Sequence, residues 1–144
     1  MALDEQVIAA RLAALEEYLR LLADVSAVDS AAFVADARTW GAAERFLHLA
    51  IEAVFDIGTH FIAGLGLQRP TRYSDILPTL RDAGVIRLET ASELESLSGF
   101  RNLLVHDYTR VDRARVHVFI TSRLDGLRRF ARDVASFLEG ASKG

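Results

Sequence analysis

The stretch AAERFLHLAIEAVFDIGTHFIAGL, residues 42–65, is the longest continuous helical pattern in this sequence of 144 residues. Its apolar side chains recur at helical spacing and cover most of the helix circumference. The stretch would be about 36 Å long if it were fully helical. A helix that is apolar on several sides is central in its domain, so this pattern predicts an all-α fold built around it. Gly64 and Gly66 are predicted to end the helix.

The sequence before the long helix predicts two further helices. Residues 3–26 form an amphipathic pattern that Asp4 can start, and Asp29 can cap a short second helix. The tripeptide Thr-Trp-Gly at residues 39–41 predicts a bend just ahead of the long helix. No strand-like alternation interrupts these patterns.

The sequence after the long helix predicts three more helices. A short helix covers about residues 73–84, and a second begins near Thr90 and carries residues 99–108, so it is called the motif helix below. The last helix is capped by Asp112 and runs to about Leu138, with residues 139–144 expected to fray. The sequence therefore predicts an all-α, up-and-down bundle of four to five main helices.

Length and composition fit a single domain spanning residues 1–144. Apolar residues make up 51% of the chain, and the absence of cysteine excludes disulfides and thiol chemistry. Acidic residues within the first helical pattern argue against a signal peptide, and no uncharged run reaches 18 residues. We therefore expect a cytoplasmic protein without a membrane partner.

Charge is distributed unevenly along the chain, although the net charge is only −3. Residues 1–100 contain 8 Arg against 15 Asp and Glu, a net charge of −7. Residues 101–144 contain 8 Arg and 1 Lys against 5 Asp and Glu, a net charge of +4. Arginine binds phosphate in a bidentate manner, so the basic part could contact an anionic ligand. A solvated arginine face on the last helix explains the same pattern.

The motif GFRNLLVHDY, residues 99–108, interrupts an otherwise apolar helical stripe. The stripe follows spacings of three and four residues through Leu94, Leu97, Arg101, Leu104 and Tyr108. Arginine is almost never fully buried unless it is paired. Either the stripe leaves the core at Arg101, or another group compensates the charge of that side chain.

Four polar side chains of the motif would share one wedge of the helix if the helix persists through them. They are Arg101, Asn102, His106 and Tyr108. A cation, an amide, an imidazole and a phenol together are the components of a phosphate-handling site. The same residues also fit a paired interface arginine, a helix-end histidine and a capping aromatic, and the spacing alone leaves both interpretations open.

The pattern Arg101-Asn102-x-x-x-His106-x-Tyr108 resembles the R-x4-H-x-Y signature of HEPN-domain ribonucleases. More narrowly, it resembles the HepT-like toxins of HEPN/nucleotidyltransferase toxin–antitoxin pairs. The resemblance implies a HEPN-like bundle and a metal-independent endoribonuclease that cleaves RNA by attack of the 2′-OH. Arg101 and His106 would be catalytic and Asn102 supporting, in a homodimer without a cofactor. It further implies that a nucleotidyltransferase antitoxin transfers AMP onto Tyr108.

The long helix carries a polar stripe in which histidine and acidic residues recur every four positions: His48, Glu52, Asp56 and His60. Such spacing invites a zinc or iron site. The stripe rotates by about 40° per step, however, so the four side chains cannot share one ion, and no metal site is predicted. Glu52 or Asp56 is instead expected to pair with Arg101 and support it. A plain solvated strip is the alternative.

Two functions without catalysis also fit the sequence. Some small HEPN-like proteins serve as the binding or adaptor subunit of a nucleotidyltransferase. A purely structural helical dimer is a third class, but it would not need the polar wedge. Cleavage of RNA in excess chelator, compared between the wild type and His106→Ala, distinguishes the enzyme from both.

Overall fold

A computed structural model describes residues 3–106, 109 and 111–143 of the chain. Within these residues the regular structure is helical, which confirms the all-α prediction. The elements are α1 (Glu5–Ser26), α2 (Ser30–Ala35), α3 (Ala37–Gly64), a 3-10 turn (Tyr73–Asp75), α4 (Ile76–Asp82), α5 (Leu88–Glu93), α6 (Leu97–His106), α7 (Arg113–Ser122) and α8 (Leu124–Lys143).

Helix α3 is the central helix of the bundle, as its apolar circumference predicts. It packs against α1, α2, α4, α6 and α7. Its fully buried side chains include Leu47, Ile51, Val54, Ile57 and Phe61. The helix is long and apolar enough to cross a membrane by length and composition, but 56% of its most apolar window is buried inside the domain. We therefore interpret α3 as the core helix of this fold.

Side-chain caps set the starts of the first three helices. Asp4 accepts a hydrogen bond from the backbone N–H of Val7, and Asp29 accepts one from Ala32. Asp36 caps α3, and α3 therefore begins at Ala37. The predicted bend at residues 39–41 is wrong, because this cap starts the helix ahead of them. Gly66 has φ +67°, which allows the chain to leave α3 as predicted.

The motif helix is shorter than predicted, because α5 and α6 are separate helices. A turn at residues 94–96 divides them. Arg123 Nη2 lies 3.2 Å from the carbonyl oxygen of Glu93 and 3.3 Å from Ser96 Oγ, so a side chain distant in sequence holds the turn. Leu94 stays in the core at 3% exposure although it lies outside the helix.

The predicted last helix is also divided, at Arg123, into α7 and α8. Asp112 caps α7 as predicted, accepting a hydrogen bond from the N–H of Ala114. After the break the two helices have different neighbours: α7 packs against α1, α2 and α3, and α8 packs against α1 and α5. Helix α8 continues to Lys143, beyond the predicted end near Leu138 and into the tail that we expected to fray.

Candidate active site

Arg101 lies on α6 and forms an ion pair with a carboxylate on α3. Its Nε atom is 2.5 Å from Oε1 of Glu52. The Arg101 side chain is only 14% exposed, and that of Glu52 is 35% exposed. A guanidinium that is largely shielded from water needs an opposite charge beside it, and the Glu52 carboxylate supplies that charge. Of the two carboxylates that the sequence offered for this role, Glu52 is therefore the one that contacts Arg101.

An aromatic ring also contacts the Arg101 guanidinium. The Cζ atom of Arg101 lies 4.2 Å from the centroid of the Tyr73 ring, within the range of a cation–π interaction. Phe55 of α3 supports Tyr73 in an edge-to-face arrangement, with 5.1 Å between ring centroids. The sequence did not predict this role of Tyr73, because nothing in its local pattern connects the 3-10 turn to the motif helix.

His48 extends the contacts of Glu52 along α3. Its Nε2 atom is 3.8 Å from the same Glu52 oxygen that binds Arg101. Arg45 Nη1 lies 3.2 Å from His48 Nδ1. Because a guanidinium can only donate hydrogen bonds, this contact is a hydrogen bond when Nδ1 accepts, and that tautomer places the ring proton on Nε2, on the Glu52 side. Arg45, His48 and Glu52 thus form a chain of polar contacts that ends at Arg101.

Asp56 belongs to a different group of contacts. Its carboxylate lies 2.5 Å from Nε of Arg11 on α1 and 3.7 Å from Nε2 of His60. The polar stripe on α3 is thereby divided into two pairs, one at Glu52 and one at Asp56. Among the described residues, no group of three His, Asp or Glu side chains is placed to hold a metal ion.

Asn102 and His106 lie on the exposed side of α6. Asn102 is exposed, and its Oδ1 atom accepts a hydrogen bond of 3.3 Å from Nη1 of Arg101. His106 is exposed and is the last residue of α6. It lies five positions after Arg101, which corresponds to about 7.5 Å along the helix axis. Tyr108 lies outside the described residues.

The arrangement presents a fixed cation and an exposed imidazole on one short helix. Arg101 donates through Nε and Nη1 to Glu52 and Asn102, and within the described part of the chain Nη2 has no hydrogen-bond partner. A guanidinium with a free donor can contact an anionic oxygen, and an imidazole can transfer a proton to or from a neighbouring oxygen. A fixed cation and a proton-transferring side chain are both groups that catalyse cleavage of phosphodiesters.

Comparison with known proteins identifies the family. The family model described as ribonuclease HepT-like matches residues 15–134. The chain belongs to the HepT-like ribonuclease family. The family predicted from the motif at residues 99–108 is therefore confirmed.

Individual relatives agree with the HepT-like assignment. YutE of Bacillus subtilis is 32% identical over 98 residues, which cover 68% of each chain. The structure of YutE, described as a cytosolic protein, matches 98% of this chain and 95% of its own with a TM-score of 0.85 at 28% identity. The tRNA nuclease HepT of Aphanizomenon flos-aquae is 28% identical over 95 residues, which cover 66% of this chain and 65% of HepT.

A toxin in complex with its inhibitor shares the fold. The tri-AMPylated HEPN toxin of Shewanella oneidensis, solved with MNT antitoxin, matches 90% of this HepT-like chain and 97% of its own. The TM-score is 0.80 at 22% identity. The predicted HEPN-like bundle is thereby confirmed.

Replacement of Glu52 tests how this HepT-like chain holds Arg101. Glu52→Gln keeps the size of the side chain but removes the charge that compensates the guanidinium. We expect RNA cleavage to slow by about tenfold, or about 1.4 kcal/mol of transition-state stabilisation, because Arg101 gains freedom to leave its position. Single-turnover rates measure the effect, and thermal unfolding checks the fold.

Asp56→Asn is the informative comparison, since Asp56 contacts Arg11 and His60 instead of Arg101. It should slow cleavage less than Glu52→Gln does. Equal losses in the two variants, or a wild-type rate for Glu52→Gln, would show that the ion pair does not position Arg101.

Proposed function

We propose that this protein is a metal-independent endoribonuclease and the toxin of a toxin–antitoxin pair. The observation that carries the proposal is the position of the Arg101 guanidinium, which contacts both Glu52 and Tyr73. Arg101 lies on α6, the helix that ends at His106. Membership of the HepT-like ribonuclease family supports the reaction class. The HEPN toxin that is solved with an antitoxin supports the biological role.

The reaction is an internal transesterification of RNA. A base removes the proton from a ribose 2′-OH, and the 2′ oxygen attacks the adjacent phosphorus. The bond to the 5′ oxygen of the next nucleotide breaks, and an acid protonates that leaving oxygen. The products carry a 2′,3′-cyclic phosphate and a 5′-OH, and no water is consumed in this step.

Two motif residues have direct roles in this mechanism. His106 transfers the proton as general base or general acid, a contribution of about 10²–10⁴ in rate. Arg101 stabilises the additional charge on the phosphorane oxygens through the donor that Glu52 and Asn102 leave free. Because Glu52, Tyr73 and Asn102 fix the guanidinium before the substrate binds, little reorganisation is needed during the reaction.

A cleavage assay in excess chelator tests this function. The wild-type chain should cut RNA with EDTA present and leave 2′,3′-cyclic phosphate ends, detectable by mass spectrometry of the fragments. Transfer RNA is the first substrate to test, because the Aphanizomenon relative is named a tRNA nuclease. Arg101→Ala is the control for contaminating nucleases. A chain that binds RNA but never cleaves it would indicate an adaptor instead of an enzyme.

The mechanism requires an acid and a base, and one chain has a single histidine in the motif. We therefore propose a homodimer in which two motif helices meet and each contributes His106. Gly99 supports this contact. Gly99 is exposed, and a Cβ atom at this position would have no described atom within 4 Å. A glycine inside a helix costs about 1 kcal/mol relative to alanine, and the described fold gives no reason for that cost. A second copy approaching α6 closely would explain it.

Mixed dimers measure whether the two histidines share a site. Co-expression of differently tagged wild-type and His106→Ala chains yields dimers that contain one intact histidine. If one His106 is the base and the other the acid, the mixed dimer should lose about 10²-fold in rate, because one proton transfer is missing. Independent sites would instead retain about half of the activity. A chain that sediments as a monomer at the assay concentration and still has full activity would also contradict the dimer.

The partner that we propose for this toxin is a nucleotidyltransferase antitoxin that neutralises it by transferring AMP onto Tyr108. The AMPylated state of the Shewanella toxin and its complex with MNT antitoxin support this proposal. The description of YutE as cytosolic supports a cytoplasmic location for this protein.

A further inference from the structure

We propose that one of the cavities bordered by Tyr73 binds a nucleobase of single-stranded RNA, one nucleotide away from the phosphate at Arg101. The inference rests on the proposed ribonuclease function and adds a substrate subsite to it. The cavity has a volume of about 530 Å³ and lies between α3 and the segment that precedes α4. Its lining combines apolar, aromatic and basic side chains: Ile62, Leu67, Arg69, Arg72, Tyr73 and Ile76.

Tyr73 connects this cavity to the candidate active site. The Arg101 guanidinium lies 4.2 Å from the centroid of the Tyr73 ring, yet the residue remains 42% exposed. Phe55 holds the ring in place from α3. A base that packs on the exposed part of a fixed ring would place its own nucleotide beside the cation. Stacking on aromatic side chains is the usual way in which proteins bind unpaired bases.

The rim of the cavity is suited to a phosphate backbone. The chain has no Asp or Glu between Asp56 and Asp75, although residues 1–100 are acidic as a whole. Arg69 and Arg72 both lie in this interval and are exposed. Arg72 contacts Asp75 only at 3.8 Å, and Arg69 has no ion pair within the described residues. Both guanidinium groups can therefore turn towards phosphates on either side of the bound base.

A different role for Tyr73 would be to position Arg101 alone. Both roles predict slower cleavage when the ring is removed, but only the subsite predicts weaker binding of RNA. Binding must therefore be measured without cleavage. The His106→Ala variant should provide this condition, because His106 is exposed, so its replacement should preserve the fold while cleavage becomes slow.

The experiment measures the affinity of His106→Ala for a fluorescent single-stranded RNA by anisotropy. Adding Tyr73→Leu should raise the Kd by about 5- to 100-fold, the loss expected for one stacked base. Tyr73→Phe keeps the ring and should stay within about twofold. Arg69→Gln should weaken binding and lower the slope of log Kd against log salt by about 0.7, because one phosphate contact is lost. Arg38→Gln, an exposed arginine at the start of α3, is the matched control.

The outcomes separate this subsite from the proposed function. If Tyr73→Leu lowers kcat while the Kd for RNA is unchanged, Tyr73 only positions Arg101 and the subsite is refuted. If neither Tyr73→Leu nor Arg69→Gln changes the Kd, the subsite is refuted even when the wild type cleaves RNA. If the wild type never cleaves RNA but binding depends on Tyr73, the subsite stands and the ribonuclease proposal fails.

Discussion

His106→Ala is expected to slow RNA cleavage by about 10²–10⁴-fold, the range that is lost with a general acid or base. His106 is exposed at the end of α6, so its removal should leave the stability of the domain nearly unchanged. The decrease should appear in the single-turnover rate at saturating enzyme, where binding does not limit the reaction. The affinity for RNA should change little.

His60→Ala is the control, since His60 is a half-buried histidine on α3 that contacts Asp56 and has no contact with Arg101 among the described residues. It should cleave at the wild-type rate. The double variant Arg101→Ala/His106→Ala should be little slower than the worse single variant, because residues of one site act as a unit and their losses do not add. Wild-type cleavage by a folded His106→Ala chain would refute the site assignment.

Modification of Tyr108 is the second change with a large expected effect. Co-expression with the proposed nucleotidyltransferase partner should add the mass of one or more AMP groups and abolish cleavage. In the proposed transfer, the Tyr108 oxygen would attack the α-phosphorus of ATP, pyrophosphate would leave, and a base of the partner would take the phenol proton. The new phosphodiester would add an anion two positions after His106 in the sequence, and we expect this anion to compete with the RNA phosphate for Arg101.

Conservative variants locate the modification. Tyr108→Phe should remain unmodified at that position and should keep cutting RNA when the partner and ATP are present. Tyr18→Phe, another tyrosine that we do not place in the site, should be modified and inactivated like the wild type. If the mass is unchanged while activity is still suppressed, the partner works by covering the site and this prediction fails.

The sequence was most informative where a single local interaction decides the structure. The carboxylates of Asp4, Asp29 and Asp112 start their helices as predicted. Each cap is local, because the side chain accepts a hydrogen bond from a backbone N–H within the next three residues. The apolar circumference of residues 42–65 likewise predicted the central helix. The family followed from the spacing of Arg101, His106 and Tyr108.

The sequence was least informative where distant residues meet. Glu52 and Asp56 lie on one stripe, and only the rotation of α3 against α6 decides which of them contacts Arg101. Tyr73 is 28 positions from Arg101, so no periodicity connects the two. The break between α5 and α6 depends on Arg123, a side chain from the end of α7. None of these contacts has a local sequence signal.

The location of Glu52 on α3 also determines how slowly the site can open. Its helical neighbours Ile51, Ala53 and Val54 are buried at the centre of the bundle. Core helices open with free energies close to that of global unfolding, so we expect the backbone amide protons around Glu52 to be among the slowest of the domain to exchange. The Glu52 side chain is 35% exposed, however, so the ion pair to Arg101 can break while α3 stays folded. Opening of the site without unfolding is therefore confined to this side-chain contact and to α6.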